Sequence, residues 1–141
     1  MVINRNFLPK NENIFDPRLH NIGDFDVSIK VCLNNKVACV QKPLATYRWH
    51  GKNETALTMD RQIKELQSWG REMQNCPEIS NNKGFEKFLN NTKYLEGMQF
   101  VMRGELLKAF KSLLSLSCGM EQVKLFISIL IPLKILKLVR T

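Results

Sequence analysis

With 141 residues, 44% of them hydrophobic and 24% charged, the chain has the composition of a folded soluble protein and the length of one domain or part of a larger one. Its net charge of +8, from 21 Lys and Arg against 13 Asp and Glu, favours anionic partners: nucleic acid, lipid headgroups or phosphorylated ligands. Four dispersed cysteines, Cys32, Cys39, Cys76 and Cys118, with no C-x-x-C pair and only two histidines, exclude the usual zinc-site spacings and read as free thiols in a reducing, cytoplasmic compartment.

Met1 to Arg5 reads as a short strand with no turn before it, which predicts that an upstream portion of the protein is missing. Residues 1 to 22 are otherwise loop-like, with Pro9, Pro17 and several asparagines. From Asp24 to about Leu33, Phe25, Ile29 and Cys32 or Leu33 recur at helical spacing, and Asn34-Asn35 ends the pattern. Two short strands are expected next, Val37 to Gln41 and Leu44 to Trp49, separated by Lys42-Pro43. In the second, Arg48 and His50 would share one face, and Tyr47 and Trp49 the other, where they would pack in a core.

From Thr55 onward the pattern is helical. Leu57 to Asn75 carries Met59, Ile63, Leu66 and Met73 on one stripe with Trp69 beside it, and Pro77 stops it. Lys83 to Arg103 and Glu105 to Leu116, jointed at Gly104, form a helical hairpin in which Phe88, Leu95, Met98 and Met102 face Leu106, Ala109, Phe110 and Leu113. Met120 to Arg140 is apolar but interrupted by Lys124, Pro132 and Lys134, too short a run to span a bilayer. Lys134, Lys137 and Arg140 fall in one polar sector. Residues 120 to 141 therefore either lie on an anionic membrane surface or dock on the hairpin.

Two segments stand out chemically: Phe15-Asp16-Pro17-Arg18-Leu19 followed by Gly23-Asp24-Phe25-Asp26, and Lys42-Pro43-Leu44-Ala45-Thr46-Tyr47-Arg48-Trp49-His50-Gly51-Lys52-Asn53-Glu54-Thr55. In these runs, and in the helical tail around Arg103 to Ala109, the chain resembles the family-two glycosyltransferases of the GT-A fold. The resemblance implies an α+β chain, with residues 1 to 55 the C-terminal part of a GT-A catalytic domain and residues 56 to 141 a helical tail. It also implies inverting sugar transfer from a nucleotide-sugar donor to a saccharide or lipid-linked acceptor, at the inner membrane face in the intact enzyme.

Under that resemblance Asp24 is the base that takes the acceptor hydroxyl's proton. Arg48, His50 and Lys52 hold the leaving diphosphate, with His50 a candidate ligand for a divalent metal, Mn or Mg. The family's usual Glu is Gly23 here. Read locally, Asp24 is equally a cap for its helix, and Asp26, four residues before Lys30, forms a solvated ion pair. Arg48 and Lys52 are then a charged strand edge that resists aggregation. Asp24 and Asp26 have the spelling of a metal-binding pair, but on a helix they diverge and cannot grip one ion. The nucleotide-binding half precedes these motifs in the family and is missing here, so the isolated chain should have little or no transferase activity. A competing reading is a non-catalytic helical module that binds a partner or a membrane surface. Nucleic-acid binding is not expected, because no aromatic residues interleave with a basic stripe.

Overall fold

The computed structural model describes residues 3–8, 13–38, 40–46, 48 and 57–132. Among these residues, a 3-10 turn at Arg5–Phe7 is followed by six helices: α1 (Gly23–Asn34), α2 (Met59–Met73), α3 (Pro77–Ser80), α4 (Lys83–Arg103), α5 (Leu106–Ser115) and α6 (Met120–Leu130). Among the described residues there is no strand. This overturns the α+β expectation.

The physical reason lies in burial. Val37 and Val40, on the first expected strand, are 65% and 63% exposed, and Leu44, on the second, is 77% exposed. A two-stranded ribbon with no apolar face to bury is marginal in water, and Pro43 has no N–H to give to a ladder. Of those expected strands, Cys39, Tyr47 and Trp49 lie outside the described residues, as do His50, Met1 and Val2. Ile3 and Asn4 are not extended into a strand either, and Arg5 already opens the 3-10 turn. A GT-A fragment is built on an α/β sheet, so the resemblance to family-two glycosyltransferases is corrected with the fold class.

The chain divides into two compact units, Met1–Glu65 and Leu66–Thr141, with the boundary inside α2. In the first unit α1 buries Ile22 and Val27. No side chain of its own caps its N-terminus. A carboxylate from far along the chain supplies the acceptor instead: Glu65 Oε2 accepts the N–H of Asn21 at 2.8 Å and that of Ile22 at 3.3 Å. Asn21 also donates through Nδ2 to Thr58, at 3.0 Å to the hydroxyl and 3.3 Å to the carbonyl. At the other end Asn35 Nδ2 donates to the Val31 carbonyl at 2.9 Å, satisfying one of the open acceptors of the last turn.

In the second unit, α4, α5 and α6 pack on one another around Met98, Val101, Ala109, Leu113, Leu116 and Leu125. Asn82 caps α4, its side-chain oxygen accepting the Gly84 N–H at 2.8 Å. Gly104 ends α4 at φ 77°, a left-handed position where a Cβ is strained, and its N–H and that of Glu105 return to the last turn. The chain can then reverse directly into α5. Gly97 permits the closest approach of the three helices: a Cβ there would stand 2.5 Å from Leu125 Cδ2 and 3.2 Å from Ser112 Cβ. A separate aromatic cluster joins the end of α2 to the start of α4. Trp69 meets Phe88 edge-on at 5.1 Å, and Phe88 stacks with Phe85 at 6.0 Å.

Candidate functional surfaces

The two carboxylates that open α1 have different surroundings. Asp24 is exposed, and its Oδ1 accepts the neighbouring Phe25 N–H at 2.8 Å. Asp26 is 1% exposed, and its Oδ2 accepts Lys30 Nζ at 2.7 Å. The i,i+4 pair expected from the sequence forms, but its carboxylate end is buried while the lysine reaches solvent. Asp26 faces the side of α1 that carries Ile22 and Val27 because a helix advances about 100° per residue, which brings positions 22, 23, 26 and 27 onto one stripe.

That contrast carries a prediction. Asp24→Asn should change unfolding free energy by less than about 0.5 kcal/mol, as for an ordinary surface substitution. Asp26→Ala should remove about 2 kcal/mol or more, because it deletes a buried acceptor bonded to a charged donor. Urea unfolding followed by circular dichroism separates the two, and equal losses would contradict the placement.

Among the other residues expected at a site, Arg48 is described and exposed, while His50 and Lys52 lie outside the described residues. Among the described residues, no group of three or more His, Cys, Asp or Glu side chains stands together as a metal site. Nearer the N-terminus, Asp16 accepts the Arg18 backbone N–H at 2.9 Å and its guanidinium at 2.6 Å, closing a turn around Pro17. The Arg18 guanidinium holds the Asp16 carboxyl down to about 2. This turn keeps its ion pair across the whole range above ordinary carboxylate values and loses it only as pH falls through about 2. A groove of ≈ 370 Å³ along α1 is lined mainly by Phe7, Leu8, Ile14, Val27 and Val31, with Lys30, already paired to Asp26, as its cation.

The strongest surface feature is in the second unit. Leu125 turns inward on α6 and is fully buried, with Ile129 packed against the same core. On the opposite side of that helix Met120, Val123, Phe126, Ile127 and Leu130 are all about half exposed or more. At helical spacing these five fall within a sector of about 120° pointing away from the core, with Lys124 at its edge. Helix α6 is thus apolar on both faces, a pattern that belongs to a helix covered on both sides. Helix α5 repeats the arrangement on one flank. Leu107 is 85% exposed, Phe110 and Leu114 are exposed beside it, and Lys108 and Lys111 border the stripe. Lys108 pairs with Glu105 at 2.5 Å and lies over the Phe100 ring at 5.6 Å.

Sequence reasoning attended to the cations of the last segment and missed this face. The signal was present: positions 120, 123, 127 and 130 are apolar at spacings of three, four and three, while 125 and 129 are apolar on the other side. Sequence reasoning had also placed Leu106 and Phe110 in the hairpin seam, whereas both are exposed. Among the described residues no helix is long and apolar enough to cross a membrane. No protein-family model, curated protein or solved structure matches the chain.

Proposed function

We propose that this chain is a helical interaction module, with the outward face of α6 as its docking surface. The single observation that supports this is the apolar sector Met120, Val123, Phe126, Ile127 and Leu130 on the side of the helix away from its own core. Leaving such a stripe in water is unfavourable by about 25 cal/mol per Å² of apolar surface, so an occupant that covers it gains that free energy. A scattering of single exposed leucines would carry no such meaning. Five on one sector of one helix do.

The module works by burial rather than by chemistry. Leu125, Met98 and Val101 hold α6 rigidly from behind, so the outward side chains are presented without a prior folding step. We place the module in a reducing compartment, on the cytoplasmic side. Cys32, Cys76 and Cys118 support this placement, because among the described residues these three thiols are free. The sugar-transfer role entered through the family resemblance and is not part of this reading.

The test is retention of the intact chain on a phenyl matrix in moderate ammonium sulfate, together with fluorescence of an apolar dye. The parent should be retained and should brighten the dye. Val123→Asp/Ile127→Asp, with unchanged circular dichroism, should elute early and leave the dye dark. Co-elution of parent and variant would refute the docking surface.

A further inference from the structure

Resting on that reading of α6, we infer that the occupant of its outward face is an anionic lipid surface. Three observations point there. The first is charge. Helix α5 has Lys111 and Lys108, the latter paired with Glu105 just before the helix, α6 has Lys124 with Glu121 as its one acid, and the sequence after Leu130 adds Lys134, Lys137 and Arg140 with no acid. Glu121 is half-buried in the first turn of α6, whereas Lys111 and Lys124 are exposed. Lys124 at the edge of the outward face, together with the basic balance of the sequence, is complementary to headgroup phosphates and carboxylates.

The second observation is shape. Leu130 and Met120 on α6, and Leu107 and Leu114 on α5, are among the most exposed apolar side chains of the second unit, so they protrude rather than line a recess. Protruding side chains insert readily into a medium that deforms around them. The boundary between headgroups and acyl chains does so, and an amphipathic helix lies there with its apolar face a few ångströms deep.

The third is the alternative the charges disfavour. Self-pairing through this face would bring each lysine-edged stripe against an identical one, placing Lys124 near its own copy. Like charges brought together oppose such a dimer.

Co-flotation of the full chain with vesicles tests the inference. One set is pure phosphatidylcholine, and the other contains about one-third phosphatidylglycerol. The chain should float with the anionic set and stay behind with the neutral one, and 1 M salt, which shortens the screening length to about 3 Å, should release most of it. Lys124→Gln, which leaves the apolar side chains in place, should weaken partitioning about fivefold, as removal of one surface cation near anionic lipid predicts. Ile127→Asp should weaken it by on the order of tenfold or more.

Equal flotation with both vesicle sets overturns the anionic assignment, and flotation with neither overturns the lipid assignment. If neither set binds while phenyl retention still depends on Val123 and Ile127, the docking surface stands and its occupant is not lipid. If sedimentation equilibrium then shows a dimer that Ile127→Asp dissociates, the occupant is a second copy. Loss of both retention and flotation dependence on these residues removes the underlying reading as well.

Discussion

Replacing Leu125 with alanine is expected to destabilise the second unit by about 3–5 kcal/mol, the upper part of the range for a fully buried leucine. Leu125 is 0% exposed and belongs to the cluster formed by Met98, Val101, Ala109, Leu113 and Leu116. Its Cδ2 occupies the space that Gly97 leaves open between α4 and α6. Shortening the side chain removes dispersion contacts on every side and leaves a void lined by three helices that hold one another apart. Ile127→Ala, two residues along on the opposite face, should change stability by less than about 1 kcal/mol because that side chain is already half in water. Urea titrations of both variants in the full chain, read by far-ultraviolet circular dichroism, check the contrast. Similar midpoints for the two would mean that α6 has been assigned the wrong inner face.

Glu65→Ala should produce the second large loss, about 3 kcal/mol, by leaving two backbone donors without their acceptor and breaking a bond to a charged partner. Its Oε2 accepts both the Asn21 and the Ile22 N–H, and its Oε1 accepts Arg61 Nε at 3.1 Å. The Ile22 amide is buried and has no water to turn to, so the desolvation penalty falls on it in full. Glu65→Gln keeps an oxygen for the two amides and should lose no more than about half as much, since the neutral carbonyl is the weaker acceptor. Amide hydrogen exchange gives a local reading. In the alanine variant Asn21 and Ile22 should exchange much faster, whereas in the glutamine variant they should remain protected. Unchanged protection in Glu65→Ala would show that the carboxylate is not what holds the entrance of α1.

These two residues also mark how far the fold could be read from the chain. Helices whose signals are local were legible. The expected span Lys83 to Arg103 matches α4, because Asn82 caps its start and Gly104, in a left-handed conformation, ends it. Pro77 did interrupt the preceding helix, and it also begins α3 as its first residue, a position where its missing N–H is no loss. What depends on distant partners was not legible. Nothing near Asn21 announces that its amide will find Glu65, and nothing in Asp24-Phe25-Asp26 says which aspartate turns inward. Both carboxylates suit a helix entrance. Only the packing of Ile22 and Val27 selects Asp26 for burial.

The two expected strands fail for a related reason. Val37, Val40 and Leu44 have the residue types of strands, but strand propensity expresses fit to a half-buried pleated surface, and here no surface covers them. The family resemblance implied an α/β fragment and falls with the strands. The outward face of α6 is the converse case. Its apolar residues were visible in the sequence, yet only the placement of Leu125 shows that they lie on the side away from the core.

Oxidative footprinting of the side chains of α6, with and without anionic vesicles, tests the central claim most directly. In the free chain Met120 and Phe126 should label heavily and Leu125 hardly at all. With vesicles, Met120 and Phe126 should become protected while core Met98 stays at its low level throughout. Heavy labelling of Phe126 that vesicles leave untouched, or a Phe126 already shielded in the free chain, would contradict the account.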